Sequence, residues 1–506
     1  MKFVIYQTLI IIGNSYKTIF MRKRVKVFYV LLGVFVFTLL VLLIKTFMFS
    51  SNQPAAMAVE RKIVDEKDLS QLSELLQLKT VSYQGRNTTD SSDFDLLLPW
   101  IKENYPVVNE QSEINLINNS GILIKIEGQD NSLKPDLLAA HLDVVPLAEN
   151  QLNQWEHPPF AGEYDEEFVY GRGTLDDKGS AFVILEAAES LLSEGNKPTR
   201  TIYLAFGFDE EIGGNDGAKE IAEHLKSQRV SLRMALDEGS VVTKGIVPGL
   251  DKNTAIVGIA EKGYVTYHLE ADAEAGHSSM PARNNAINQL TEVLDKIRKE
   301  PFKARISAPL RAFINYLGPE MPFPQRMIFA NTWLFDDLLI STYEEIPSGN
   351  AMVRTTSAVT ILEAGVKDNV VPAKARASIN FRILPGEKIE DIENYLKKAT
   401  FNTNVKIRKS DKFAKNPSKI SDYQSESFEE LAGIIAGTFE NSVVVPGLVI
   451  AGTDGRHYEG IAENVYRFSP FILENEDLDR IHGNNEMISI DNINSAKTFF
   501  YNLMAN

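Results

Sequence analysis

The chain has 506 residues, 44% hydrophobic and 24% charged, which argues against a disordered polymer and is too long for one ordinary core. It contains no cysteine, which excludes a disulfide framework, thiolate metal sites and a cysteine nucleophile. The net charge is −16, and residues 1–50 are basic with no Asp or Glu, so the rest is more acidic still and no nucleic-acid partner is expected.

Val27 to Ile44 is an uncharged apolar run that continues past Lys45 to Phe49. This is about the length a helix needs to cross a hydrocarbon core. Arg22, Lys23, Arg24 and Lys26 precede it and only Lys45 follows. The positive-inside bias then predicts a single-pass membrane protein with a cytoplasmic N-terminus and the remainder on the periplasmic, extracellular or lumenal side. A cleaved signal peptide is the alternative, with a weak site at Ala55, Ala56 and Ala58, although its apolar region is normally about 7–15 residues. Met21 resembles a natural start, which would make residues 1–20 an upstream extension.

Beyond Val59 helical and strand patterns alternate. Arg61–Leu78, Ser180–Leu192 and Ala218–Leu225 read as helices; Leu138–Ala140, Ile202–Phe208 and Met234–Leu236 read as strands. This alternation predicts an α/β catalytic domain with a mostly parallel sheet. From Lys262 the order becomes β-α-β-β-α-β: Tyr264–Ala271, Ala286–Ile297, Ser357–Glu363, Ala375–Ile383, Lys388–Lys398 and Asn404–Arg408. That order suggests an inserted ferredoxin-like α+β module. An apolar insert near 301–350 interrupts it, readable as an acyl pocket, as core or as a dimer contact. The expected organisation is a basic N-terminus (1–26), a transmembrane helix (27–49), a linker (50–58), a catalytic domain in two parts (59–261 and 413–506) and an inserted lid or dimerisation domain (262–412).

Five segments carry chemistry. His141 closes an apolar strand, with Asp143 two residues on as a carboxylate able to fix its tautomer. Gly171 to Gly179 sets Asp176 and Asp177 in a glycine-rich loop before a helix. Asp209-Glu210-Glu211 and Asp237-Glu238 follow apolar strands, and His482 stands in His-Gly-Asn-Asn-Glu. Open α/β sheets bind ligands at the carboxyl ends of their strands. So many acids at one edge repel one another unless cations join them. Imidazole and carboxylate donors without thiols suit zinc, with manganese or cobalt as alternatives. Neighbouring Glu210 and Glu211 can divide the work of metal ligand and general base.

These segments together resemble the di-zinc metallopeptidase family of aminoacylase, carboxypeptidase S and succinyl-diaminopimelate desuccinylase, over about residues 60–506. The carboxypeptidase S and secreted N-acyl-amino-acid hydrolase branch is the most similar. The resemblance implies two zinc ions held by His141, Asp176, Glu211, Asp237 and His482, with Asp176 bridging and Asp143 supporting His141. Glu238 is the alternative to Asp237. It implies Glu210 as general base and His277, in Gly-His-Ser-Ser, as oxyanion donor, often supplied across a homodimer. Asn369, Arg382 and Arg456 match substrate-contacting positions; Arg456 is a fork donor suited to a carboxylate. The implied reaction is cleavage of an amide in N-acyl amino acids or short peptides with a free C-terminal carboxylate. Ureido or succinyl-amide hydrolysis and a non-catalytic binding role are the alternatives.

Overall fold

The computed structural model describes residues 2–83, 93–147, 149–411 and 413–506, with side chains from Arg24 onward except Glu149. The expected domain boundary at residue 412 lies outside the described residues.

The chain opens on one helix, α1 (Lys2–Met48), which starts well before the expected span. Its stretch Arg24–Met48 is long and apolar enough to cross a membrane. Phe28, Leu31, Phe35 and Phe37 project from it with no protein over them. The expected linker is bonded to the body: the Gln53 side chain brackets the backbone of Val444, and Met57 N donates to Gly433 O.

Helix α2 (Glu66–Gln77) is shorter than the pattern Arg61–Leu78 predicts. Asp65 caps it reciprocally with Asp68. The preceding residues stay outside the helix because Lys62 N and Val64 N donate to Thr498 Oγ1 and Asn494 Oδ1 instead of entering it.

The α/β part follows: β1 (Gly121–Ile126), β2 (Asp136–His141), α3 (Lys178–Ser193), β3 (Ile202–Gly207), α4 (Ala218–Ser227), β4 (Leu232–Asp237) and β5 (Asn253–Glu261). A second sheet supplies β6 (Gly263–Asp272), α5 (Ala286–Lys299), β7 (Thr356–Ala364), β8 (Lys374–Ile383), α10 (Ile389–Ala399) and β9 (Val405–Lys409). Between α5 and β7 the apolar insert forms α6 (Ala308–Leu317), α7 (Phe323–Ala330), α8 (Thr332–Glu344) and α9 (Pro347–Val353). The chain then returns through α11 (Glu426–Thr438), β10 (Ser442–Val449), β11 (Ala462–Arg467) and α12 (Ile490–Ala505).

Among the described residues the main sheet has ten strands, and its centre runs β1-β3-β2-β4-β11-β5. β3, β2, β4 and β11 are mutually parallel, so their carboxyl ends share one edge. Both faces are covered, which explains their unbroken apolar runs. Leu138 and Ala140 of β2 join a core with Leu185 of α3 and Phe499 of α12. Leu137 and Ala139 point the other way, toward Ile221 and Leu225 of α4.

The second sheet is antiparallel, ordered β7-β8-β6-β9. Val265, Tyr267 and Leu269 face Leu290 and Val293 of α5 and Leu396 of α10. β7 is its edge, and it exposes Val359, Ile361 and Leu362. In the insert, Leu310 and Ile314 of α6 pack on Val443 and Val445 of β10.

Candidate metal centre

The shared sheet edge gathers the acids. His141 ends β2 in register with Gly207, the last residue of β3. Beyond Gly207 the chain tightens into a short 3-10 turn at Glu210–Ile212. Asp237 ends β4, and Glu238 follows it off the strand. Asp176 sits in the loop before α3, and His482 sits in a turn at φ +60°. The Asp176–Asp177 peptide is cis.

Asp176 lies between two imidazoles, one on each oxygen: His141 Nε2 is 2.9 Å from Oδ1 and His482 Nε2 is 2.9 Å from Oδ2. His482 Nε2 is also 3.2 Å from Glu211 Oε2. Donor atoms of His141, Asp176 and Glu211 lie within 4.8 Å of one another, as do those of His141, Glu210 and Glu238. Glu211 Oε1 is buried and has no hydrogen-bond partner. Two donor groups sharing one histidine, a carboxylate flanked on both oxygens and an orphaned carboxylate oxygen fit a site for divalent cations.

The electrostatics agree. Burial, then the nearby Asp454, pushes the Glu210 carboxyl well above its ordinary range. Burial, then Asp176 and Asp177, does the same to Glu238, and burial raises Glu211. Burial works against Asp176 too, but hydrogen bonds from His141 and His482 hold it low. His482 rises to about 10 against those carboxylates. The chain alone neutralises this cluster only by taking up protons, and divalent cations would do so without them.

Asp237, expected as a ligand, is engaged elsewhere: its buried carboxylate accepts from Gly455 N and the Thr453 side chain. Glu238 reaches the acid cluster in its place. Asp237 ends the strand with its carboxylate turned to the 453–455 loop, whereas Glu238, one residue past it, comes within reach of His141 and Glu210.

The supporting groups are dense. His141 Nδ1 is 3.0 Å from the Asp143 backbone carbonyl and 3.3 Å from its Oδ1, and the Asp143 carboxylate accepts from Glu210 N (3.1 Å) and Glu211 N (3.2 Å). One buried acid thus orients the histidine and both glutamates. Glu486, buried and paired with Arg172 at 2.6 Å, accepts from the amides of Gly173, Leu175 and Asp176, which shapes the loop. Buried Lys178 donates to Leu75 O and Leu78 O, and burial lowers it to about 7.

Arg456 is buried, with Nη1 3.8 Å from Glu210 Oε1 and its guanidinium over the Phe413 ring. Arg382 stacks on Tyr264; burial, reinforced by the like charge of Arg456, lowers its pKa. His277 and Asn369 lie apart from this group. His277 is exposed on a two-residue ladder opposite Val370, and Ser278 N donates to Asn369 O. Among the described residues no hydrogen bond or ion pair links either to the acid cluster.

Two residues had no role in the sequence reading. Glu486 was visible only as the last letter of the His482 motif. Asp454 is buried with neither oxygen hydrogen-bonded, and its charge acts on Glu210. Its neighbour Arg456 carried the only chemical signal in that stretch.

Comparison with known proteins gives the family and the fold. Residues 137–506 match the family described as peptidase family M20/M25/M40. The chain is 38% identical over 479 residues to a probable carboxypeptidase S-like 2 of Dictyostelium discoideum, covering 92% of each. It is 37% identical over 450 residues to the N-fatty-acyl-amino acid synthase/hydrolase PM20D1 of Xenopus tropicalis, covering 87% of this chain and 86% of the relative. The fold is similar to that of an M20 family metallo-carboxypeptidase from Sulfolobus solfataricus (TM-score 0.64, 18% identity, 87% of this chain and 99% of the other). It is also similar to that of human carnosine dipeptidase 1 (TM-score 0.60, 13% identity, 87% and 96%).

Proposed function

The chain belongs to the peptidase family M20/M25/M40 and is a metal-dependent hydrolase of amide bonds; on that premise we propose that it cleaves N-acyl amino acids or short peptides that carry a free C-terminal carboxylate. The observation that carries this reading is Asp176, held between His141 and His482 with Glu211 alongside. His141, Asp176, Glu211, His482 and Glu238 would hold two zinc ions, with Asp176 shared and Glu238 taking the place expected for Asp237. The bound ions would polarise the scissile carbonyl and make a water acidic enough to attack.

The chain's own residues do the rest. Glu210 takes the proton from the attacking water and returns it to the departing amine. Asp143 keeps His141 oriented and fixes the backbone of Glu210 and Glu211. Arg456 stands 3.8 Å from Glu210 and Arg382 is close enough to feel the charge of both, which supplies two guanidiniums suited to a substrate carboxylate.

His277 and Asn369 stand away from their own chain's acid cluster. We read them as reaching substrate across a homodimer, which the exposed apolar edge β7 also favours. The apolar stretch of α1 would anchor the enzyme, with its basic N-terminus in the cytoplasm and the catalytic part across the membrane.

The test is a substrate panel. The purified protein is assayed on acyl-amino acids, dipeptides, carbamoyl and succinyl amides, with and without chelator. Chelator-sensitive release of free amino acid from the first two classes supports the reading. Turnover confined to carbamoyl or succinyl substrates contradicts it.

A further inference from the structure

We propose that the outer face of α7 and α8 seats in the interfacial layer of the same bilayer that α1 crosses, which makes the catalytic part a membrane-resting body rather than one held off on a tether. The proposal rests on the reading of α1 as a membrane span.

The first observation is how α1 ends. Its last turns are locked onto the insert. Asn331, fully buried between α7 and α8, donates to Leu42 O and to Thr46 Oγ1, and Thr46 is itself buried. Arg326 donates to Phe49 O, and the rings of Phe47 and Phe323 lie 6.1 Å apart. Lys45 Nζ stands 5.6 Å from the Trp333 ring centre. Gly318 permits the fit: a Cβ there would meet the Phe49 ring at 2.5 Å. Beyond Phe49, Ser51 and Asn52 bond to Glu320 and Asn315 O, so no slack intervenes.

The second observation is depth. A helix rises about 1.5 Å per residue, so the 25 residues Arg24–Met48 are about 37 Å long; about 20 residues counted from Val27, just after the basic run, fill the roughly 30 Å hydrocarbon layer and end at Thr46. Leu42 to Thr46 then lie within the outer leaflet's edge. Whatever packs on them lies at that depth too.

The third observation is chemistry. The face that α7 and α8 leave open carries Phe323, Trp333, Leu334 and Leu338, about half exposed each. Trp at the boundary and a lysine beside it are the side chains interfaces select. Asp337, exposed on the same helix, keeps the face at headgroup level rather than in the hydrocarbon. The far end of the insert reaches the catalytic body: Lys262 Nζ donates to Ala351 O and Arg354 O, directly after Glu261, which accepts from Thr453 N.

The absence of cysteine makes the test direct. Single cysteines are introduced in the full-length chain at Leu338, at exposed Phe401 on the second sheet's side, and at Phe37 within α1. Each carries an environment-sensitive fluorophore, and each protein is reconstituted in phosphatidylcholine–phosphatidylglycerol vesicles with or without nitroxide-labelled lipid. Leu338→Cys should be quenched at least threefold more than Phe401→Cys. Quenching at Phe37 with Leu338 equal to Phe401 would overturn the proposal and leave the span standing. Loss of quenching at both Phe37 and Leu338 would overturn the span and the proposal together. A blue-shifted but unquenched Leu338 probe would assign the face to a second copy or another protein and also overturn it.

Discussion

Glu210 and Glu211 are neighbours with the same side chain, yet their surroundings separate them. Glu211 points at His482, whereas Glu210 sits beside Arg456 under the influence of Asp454. Glu210→Gln should lower kcat by roughly 10²- to 10⁴-fold, the usual worth of a positioned base, with metal content unchanged. Metal analysis alongside single-turnover kinetics checks both halves. Glu238→Ala should reduce bound metal from two ions toward one. Asp237→Asn should retain both, because an amide oxygen still accepts from Gly455 N. Equal metal loss in the two variants would refute the assignment to Glu238. This choice was not legible in the sequence. Either acid could turn to the cluster, and the long-range bond from Gly455 N to Asp237 is what engages one of them elsewhere. His141, Asp176, Glu211 and His482 were legible because each ends an apolar run or sits in a distinctive short motif.

At the scale of elements, two local devices hold the site. Gly179 opens α3 where a Cβ would lie 2.1 Å from Thr174 O, backbone that cannot swing aside. Gly179→Ala should cost about 1–3 kcal/mol of stability, read by denaturant titration, and should loosen the loop that carries Asp176. Lys262 stands at the junction of β5 and β6 and is lowered to about 7 by burial, then by Arg382. Between about pH 7 and its unfolded value near 10.5 the unfolded chain holds a proton that the folded chain lacks, so stability rises with pH across that window. Lys262→Met should flatten this rise, measured as the difference in unfolding free energy between pH 7 and pH 9. Period-two alternation made β6 and β8 readable, and period-3.6 stripes did the same for α5 and α10. The four helices of the insert were not separable. α6 carries one stripe, Leu310, Phe313, Ile314 and Leu317, turned to β10, but α7 and α8 meet α1 and open surface at once, which leaves them no single stripe. The early end of the α2 pattern was hidden for a related reason: residues 61–65 are drawn off by bonds to α12, more than 400 positions away.

For the whole molecule, the site joins segments from residue 141 to residue 482, and folding brings them to one edge of one sheet. The convergent acids make metal part of the folded state's stability. Removal by chelator should lower the melting temperature and restore proton uptake by the cluster, and zinc should reverse both. The His277 and Asn369 pair was legible only as two separate motifs, since their ladder links residues nearly a hundred positions apart. Two ions on this cluster would drive hydrolysis of an acyl amide. The most direct test is to strip the full-length protein of metal and follow hydrolysis of an N-acyl amino acid while adding zinc in measured equivalents. The account predicts no turnover without metal and a rate that rises to its plateau at two equivalents per chain. Full turnover in the stripped protein, or two bound equivalents with no hydrolysis, would contradict it.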